Sequence, residues 1–208
     1  MPLSINGQLK PGIFEVPGNV SSQFITGLLL ALPLLKADSE IVVTSSLESK
    51  SYIDMTLSAM YRFGVTAIET ENGYKVYGNQ SYKPQHLNIE GDWSQAAFFL
   101  AAGALGGNVS IENLDTASYQ GDKAIYQLLR QFGADITING QVLSCKHNKL
   151  NGIEIDAENI PDLVPILAVV AALAEGTTTI TGAARLRIKE SDRLHAITEL
   201  SLIHISEP

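Results

Sequence analysis

The chain has 208 residues, 45% of them hydrophobic and 17% charged, with a formal net charge of -8 at pH 7. This length can bury one large core or two small ones, and the composition is typical of a globular protein. The acidic balance argues against a nucleic-acid surface, which needs a basic face. The longest apolar run, residues 28–35, is too short to span a membrane, and no signal-peptide pattern opens the chain. We therefore expect a soluble, cytoplasmic protein that binds neither nucleic acid nor membrane.

The first part of the chain predicts a helix, a strand, a second helix and a hairpin. Asn and Ser capping residues mark the first helix start, a β-branched run marks the strand, and an Asn-Gly pair marks the hairpin turn. The second helix ends at a Phe-Gly pair, as glycine-terminated helices do. In order, these elements are a helix from residues 19–22 toward Leu35, a strand at 41–44, a helix from Ser49 to Gly64, and a hairpin of 65–70 and 74–77.

The same order of elements then returns, which predicts a repeat architecture. The second round has a helix at 93–105, a strand at 109–111, a helix at 122–132 and a hairpin of 135–138 and 141–145, and the third has a helix at 161–174 and a strand at 178–180. The strands recur at offsets of 68 and 69 residues. A third helix stop is expected near 201–202, but residues 201–208 do not match it, so we expect them to be a foreign tail.

One cysteine, Cys145, excludes an intrachain disulfide and any metal site built from several cysteines. It lies in the alternating segment 141–145, which favours a buried structural thiol over a nucleophile. The four histidines show no metal-ligand spacing, and neither a Walker-type loop nor a G-x-G-x-x-G motif occurs. Metal and nucleotide sites therefore have little support.

The segment from Ala184 to Leu194 holds four of the chain's 14 Lys and Arg residues within nine positions, 185–193. Guanidinium and ammonium groups packed this closely suit phosphate or carboxylate oxygens, and a following helix would add unpaired N–H groups. The acids Glu190 and Asp192 between them could orient these cations or move protons. The alternative is a charged, exposed helix start, since charge runs are usually solvated faces.

Two further helix starts carry polar groups of the type that bind phosphate. Residues 21–23 offer two hydroxyls and an amide, and residues 49–52 offer hydroxyls, a cation and a phenol. Each is equally compatible with a structural cap. Asp162 opens the third-round helix, either as a first-turn acid favoured by the dipole or as a general base.

These residues resemble those of the 5-enolpyruvylshikimate-3-phosphate synthase family from about Pro2 to Leu200. The resemblance is carried by Gly18-Asn19-Val20-Ser21-Ser22-Gln23-Phe24, Ser49-Lys50-Ser51-Tyr52-Ile53-Asp54, Glu90-Gly91-Asp92-Trp93-Ser94-Gln95-Ala96-Ala97, Gln120-Gly121-Asp122, Ile160-Pro161-Asp162 and Arg187-Ile188-Lys189-Glu190-Ser191-Asp192-Arg193-Leu194. It implies an α/β fold of repeated βαβαββ units, an inside-out α/β barrel that is incomplete here. Residues 1–86 would be the last unit of one domain. Residues 87–200 would be the first unit and a truncated second unit of the other domain, with 201–208 as a non-family tail.

The resemblance implies transfer of the enolpyruvyl group of phosphoenolpyruvate to the 5-hydroxyl of shikimate 3-phosphate, with release of phosphate and with no metal or organic cofactor. Asp162 would be the base on the 5-hydroxyl, Lys189 would contact that hydroxyl and the phosphate, and Glu190 would handle protons at the methylene. Arg193 would hold phosphoenolpyruvate. Shikimate 3-phosphate would be bound by Ser21, Ser22, Ser49 and Tyr52, and Gln23 would contact both substrates.

Several family features are absent from this sequence: the N-terminal lysine-serine and arginine site, the Asn-Gly-rich loop, and the C-terminal arginine and lysine contacts. Arg185 stands where some members have asparagine, so the resemblance assigns it no role. We expect little or no turnover from this chain alone, because positioning groups are missing. Open helix faces and a sheet edge in the truncated unit favour self-association. Two alternatives remain: a non-catalytic folded module, and a UDP-N-acetylglucosamine enolpyruvyl transferase, whose family uses a loop cysteine.

Overall fold

The computed structural model describes residues 2–205, with side chains described for residues 2–200. The chain divides into two compact units, Met1–Leu87 and Asn88–Pro208, which we call the N-unit and the C-unit. The assignment of these stretches to two synthase domains stays a prediction. So does the foreign origin of residues 201–208: only the helical backbone of residues 201–205 is described, and the rest of that segment lies outside the described residues. None of the described helices combines the length and apolar character needed to cross a membrane.

The N-unit is one four-stranded sheet with two helices. In chain order its elements are β1 (Ile13–Val16), α1 (Ser22–Ala31), β2 (Ser39–Val43), α2 (Lys50–Arg62), β3 (Ala67–Thr70) and β4 (Gly73–Val76). The sheet order is β1-β2-β4-β3, with β1 parallel to β2 and the remaining pairs antiparallel. The two helices, β2 and the hairpin confirm the sequence predictions. Strand β1 was not predicted, because four residues without strict alternation carry little signal.

Helix α1 is shorter than the sequence predicts. It ends at Ala31 and continues only as a 3-10 turn, Leu32–Leu34, instead of running on toward Leu35. Pro33 lies in that turn, and proline cannot donate the backbone hydrogen bond that an α-helix interior needs. The core of the N-unit is formed by buried side chains from both helices and the sheet: Val16, Ile25, Leu29, Leu32, Ile41, Ile53, Met60, Val65, Tyr74 and Val76.

The C-unit repeats this order of elements twice, and among the described residues each repeat has fewer strands than the N-unit. Its elements are α3 (Trp93–Leu105), β5 (Asn108–Ile111), α4 (Ala124–Phe132), β6 (Asp135–Asn139), β7 (Val142–Lys146), β8 (Glu154–Asp156), α5 (Val164–Leu173), β9 (Thr179–Thr181) and α6 (Arg193–Ile205). One sheet has the order β5-β7-β6 and is antiparallel, and the other is the parallel pair β8-β9. The order β5-β7-β6 matches β2-β4-β3 of the N-unit, so the incomplete βαβαββ repeat is confirmed.

Three segments of the C-unit differ from the sequence predictions at helix starts. The helices expected from Asp122 and from Pro161 begin as 3-10 turns, Gly121–Lys123 and Pro161–Leu163, and become α-helical only at Ala124 and Val164. The basic segment forms a 3-10 helix of its own, Ala184–Ile188, before α6. Short 3-10 turns are common where a helix begins, because the first N–H groups have no intrahelical acceptor.

Candidate active site

Both parallel strand pairs lead directly into helix starts that carry the predicted site residues. Since parallel strands end at the same edge of a sheet, the loops after β1 and β2 meet beside α1 and α2. The Gly18 carbonyl accepts a hydrogen bond from the Glu48 N–H at 3.2 Å, and the Gly18 N–H donates to Ser45 Oγ at 3.0 Å. A Cβ on Gly18 would lie 2.7 Å from Val43 Cγ1, so the two loops approach this closely only with glycine there.

The helix starts of the N-unit present mainly neutral groups. Ser21 caps α1, its Oγ accepting from the Gln23 N–H at 3.3 Å, while Gln23 itself is exposed. Ser22 and Ser49 are buried, at 6% and 2% exposure, and Tyr52 is half-buried. The structure therefore places all five predicted contacts of shikimate 3-phosphate at two adjacent helix starts, with two of the hydroxyls buried. Their contact with a ligand stays a prediction.

Backbone and charge at the start of α2 are both unusual. Ser49 has φ 56° and ψ 41°, a left-handed conformation that is uncommon for a residue other than glycine. The neighbouring cation, Lys50, is paired within the unit: its Nζ lies 2.7 Å from Asp54 Oδ1 and 3.3 Å from Glu69 Oε2. Hydrogen bonding to Asp54 is the main cause that raises the pKa of Lys50. This lysine is therefore already engaged in the N-unit.

The second parallel pair, β8 and β9, has the same relation to the helix starts of the C-unit. The chain leaves β8 toward Asp162, in the turn before α5, and leaves β9 toward Lys189, Glu190 and Arg193. Gly182 follows β9 with φ 68°, and a Cβ there would lie 2.4 Å from Asp156 Oδ1. As in the N-unit, a glycine permits two site-bearing loops to lie against each other.

Arg193 contacts two other predicted site residues, Asp162 and Glu190. Its Nη1 donates to Asp162 Oδ1 at 2.6 Å, its Nε to Glu190 Oε1 at 2.9 Å and its Nη2 to Glu190 Oε2 at 3.0 Å. The predicted base and the predicted proton donor are thus each in direct contact with the predicted anion-binding cation. A hydrogen bond from its own backbone N–H, followed by the bonds from Arg193, holds the pKa of Glu190 below its usual value.

The alternative interpretation of the basic segment, a charged helix start, is confirmed in part. Asp192 lies just before α6 and accepts from the His195 N–H at 3.0 Å, and Arg187 Nη1 lies 3.0 Å from Asp192 Oδ2. The hydrogen bond from the His195 backbone is the main cause that lowers the pKa of Asp192. Segment 184–194 is therefore both a capped helix start and a cluster of paired charges.

Asp122, which belongs to the motif Gln120-Gly121-Asp122, is a buried carboxylate near this cluster and was not among the predicted site residues. It is 3% exposed and accepts a short hydrogen bond from Ser94 Oγ. Burial raises the pKa of Asp122, and the charges of Asp162 and Asp92 act in the same direction, while Lys189 acts against it. A buried, perturbed acid is a signal of a functional site. Sequence spacing could not reveal it, because nothing local indicates that this side chain turns inward.

Cys145 lies in β7 with none of its surface exposed, and burial raises its pKa to about 11. A thiol that keeps its proton at neutral pH is a poor nucleophile, which confirms the structural interpretation of Cys145. The alternative that depends on a reactive loop cysteine loses its support. In the part of the chain that the structure describes, no three His, Cys, Asp or Glu side chains gather as a metal site requires.

The fold is that of enolpyruvyl transferases. The enolpyruvyl transferase NikO from Streptomyces tendae matches with a TM-score of 0.62 over 83% of this chain and 44% of that one, at 15% identity, which shows a shared fold alone. The EPSP synthase of Acinetobacter baumannii matches with a TM-score of 0.72 and 28% identity, over 92% of this chain and 45% of that one.

The sequence comparisons are more specific. The family model for EPSP synthase (3-phosphoshikimate 1-carboxyvinyltransferase) matches residues 1–203. The 3-phosphoshikimate 1-carboxyvinyltransferase of Clostridium perfringens is 53% identical over 206 residues, which are 97% of this chain and 48% of that protein. The chain therefore belongs to the EPSP synthase family. It spans about half the length of the curated relatives it matches.

Proposed function

We propose that this chain supplies part of the active site of an enzyme that transfers the enolpyruvyl group of phosphoenolpyruvate to the 5-hydroxyl of shikimate 3-phosphate, releasing phosphate. This is the reaction of the shikimate pathway, and we place it in the cytoplasm. The observation that carries the proposal is Arg193, whose guanidinium binds Asp162 and Glu190 together. Family membership over residues 1–203 supports it.

The reaction needs a group that takes a proton from a hydroxyl, a group that delivers one to a methylene carbon, and cations that hold phosphate and carboxylate. Asp162 is the proposed base on the 5-hydroxyl, because Arg193 fixes the orientation of its carboxylate. Glu190 is the proposed proton donor and acceptor at the methylene. Lys189 is assigned to the hydroxyl and the phosphate, and Arg193 to phosphoenolpyruvate.

The N-unit is the proposed acceptor site. Ser21, Ser22, Gln23, Ser49 and Tyr52 provide hydroxyl, amide and phenol groups at two helix starts, where the positive dipole ends and unpaired N–H groups favour a phosphate monoester. Lys50 has no part in this proposal, since Asp54 and Glu69 already neutralise its charge. Neutral donors suit shikimate 3-phosphate, whose ring hydroxyls also need partners.

Thermal unfolding of the chain with shikimate 3-phosphate, and with shikimate as the control, tests the acceptor site. A ligand that binds only the folded state raises the midpoint, by about 3 to 6 °C at ten times its dissociation constant. We expect the rise with the phosphorylated compound alone. Equal midpoints in both, for a sample that unfolds cooperatively, would contradict the acceptor site.

Ser49→Gly separates ligand binding from folding. It removes the hydroxyl and suits the left-handed backbone, so we expect the ligand-free chain to stay folded while the ligand-dependent rise is lost. Asn79→Gly is the matched control, because Asn79 has the same φ of 56° but is not assigned to the acceptor site. The control should keep the ligand-dependent rise.

We also propose that the chain alone has little or no turnover and associates with itself. Helices α3 and α5 are apolar on nearly all sides and expose Phe98, Phe99, Val169 and Leu173 at 48–68%. A helix that is apolar all round is normally covered. Sedimentation equilibrium should show a dimer or larger species. A monomer at all concentrations would contradict self-association and leave the proposed reaction untouched.

A further inference from the structure

The guanidinium of Arg193 is occupied from two sides. Glu190 covers one edge with two parallel hydrogen bonds, from Nε at 2.9 Å and from Nη2 at 3.0 Å, and Asp162 takes Nη1 at 2.6 Å. Paired bonds of this kind are the geometry with which arginine also binds phosphate and substrate carboxylates. An incoming anion therefore finds the fork of Arg193 already filled by the protein's own carboxylate.

The two carboxylates differ in how easily they can leave. The side chain of Glu190 is 68% exposed and lies three residues before Arg193, whereas that of Asp162 is 32% exposed and comes from the turn before α5. Glu190 can rotate into water without leaving a buried charge unpaired. Asp162 cannot do so as readily, because its carboxylate is less exposed to water and a partly buried charge that moves away from a cation is costly.

Charge balance also favours the movement of one carboxylate. Arg193 and the neighbouring Lys189 carry two positive charges against the two negative charges of Asp162 and Glu190, so with both carboxylates in place these four side chains are neutral and offer a phosphate group no net attraction. Moving Glu190 away opens the two-nitrogen edge and removes a like charge from it.

We propose that Glu190 is a displaceable internal ligand of the anion site at Arg193 and thereby determines which anions bind there. This inference rests on the proposed function in one respect, that Arg193 is an anion site. Only an anion that outcompetes a two-point carboxylate enters, so a phosphate dianion or a substrate carboxylate binds and chloride does not. Binding also releases the Glu190 carboxylate at the moment when the reaction needs a group to move protons.

The chain contains a matched control pair in the same segment. Arg187 and Asp192 are joined by one bond of 3.0 Å, and their side chains are 60% and 37% exposed. Asp192→Asn removes one negative charge from the segment but does not open Arg193. Asparagine also keeps the ability to cap α6, so the helix start is preserved. Any general effect of segment charge on anion binding will appear in this variant.

The test is calorimetric titration of the full chain with phosphoenolpyruvate and with inorganic phosphate, at constant ionic strength. We expect Glu190→Gln to bind both about two- to fivefold more tightly than the unchanged chain, which is the range typical of losing an exposed competing ion pair. Asp192→Asn should change affinity by clearly less. Arg193→Lys should lose most of the binding, because lysine has no fork.

The outcomes separate this inference from the proposed function. If the unchanged chain binds phosphoenolpyruvate and Arg193→Lys does not, the anion site is supported. Equal or weaker binding by Glu190→Gln would then overturn the internal-ligand proposal alone, as would an equal gain in Asp192→Asn. If no variant binds either anion, both the anion site and the inference are wrong. Circular dichroism of each variant confirms that the fold is retained.

Discussion

The two parallel strand pairs, β1-β2 in the N-unit and β8-β9 in the C-unit, present different chemistry on the same backbone plan. Each pair ends in two loops that a glycine holds close together, and each loop leads into a helix start. The N-unit places neutral hydroxyl, amide and phenol groups there, with its lysine paired elsewhere. The C-unit places an arginine between two carboxylates. The repeat therefore fixes the positions of the site side chains, and the residue types at those positions determine their chemistry.

The difference also separates two ways of preparing an anion site. Hydroxyl and N–H groups at a helix start carry no full charge, so they need no counterion when no phosphate is bound. A guanidinium that is three-quarters buried attracts carboxylates, and in the C-unit it has two. The N-unit site is thus expected to bind without rearrangement, whereas the C-unit site must first release a side chain.

The largest effect is expected from the two glycines that bring the loops together. Gly182→Ala places a Cβ 2.4 Å from Asp156 Oδ1 at a φ of 68°, and Gly18→Ala places one 2.7 Å from Val43 Cγ1. Each should cost about 2 to 4 kcal/mol of unfolding free energy, measured by urea denaturation. The fluorescence of the single tryptophan, Trp93, follows the C-unit.

Gly27→Ala is the control for these glycine substitutions. Gly27 lies inside α1 with nothing within 4 Å of an added Cβ, so alanine should stabilise the chain by about 0.5 to 1 kcal/mol. An unchanged midpoint in Gly18→Ala or Gly182→Ala would show that the loops can separate without loss of stability. It would contradict the inference that a glycine is needed for the close approach of the loops in both units.

A smaller effect is expected from the paired cations. Arg193→Gln removes the cation paired with Asp162 at a site where both side chains are mostly buried, so we expect a loss of about 1 kcal/mol. Lys50→Gln removes a more exposed pair from the N-unit and should cost only a few tenths of 1 kcal/mol. Urea denaturation at low and high salt measures both. Equal losses would contradict the contrast between a structural pair and a surface pair.

The smallest effect is expected at Asp122, where the N-unit has no matching buried acid among the residues described. Since burial raises its pKa above the unfolded value, the folded state holds the proton to higher pH, and stability falls as pH rises through that window. Asp122→Asn should therefore raise the midpoint at pH 7 and leave it unchanged near pH 3, where the acid is protonated.

Ser94→Ala should lower the unfolding midpoint at pH 7, because the Asp122 carboxylate then loses its hydrogen bond. A midpoint of Asp122→Asn below that of the unchanged chain at pH 7 would show that the ionised carboxylate stabilises the fold.

Much of the architecture follows from local sequence. Ser21, Asp92 and Gly133 each act within one helix end, where capping depends on neighbouring backbone groups, so their positions are predictable. The hairpin between β6 and β7 also forms where the Asn-Gly pair predicts, but Asn139 ends β6 and the turn residues are Gly140 and Gln141. Strands β1 and β8 were not predicted, because three or four residues pair only when another strand is supplied from elsewhere in the chain.

The sequence by itself determined the repeat and most of the helix positions, because each depends on residues close together in the chain, whereas the roles of the site residues stay predictions. Tertiary structure alone decided how those residues meet. Asp162 and Arg193 lie 31 positions apart, and Ser94 and Asp122 lie 28 apart, so no local pattern foretells either contact. Their contacts depend on which strands pair and how closely the loops approach. Charge cancellation at Arg193 and burial at Ser49 and Asp122 are therefore properties of the folded chain.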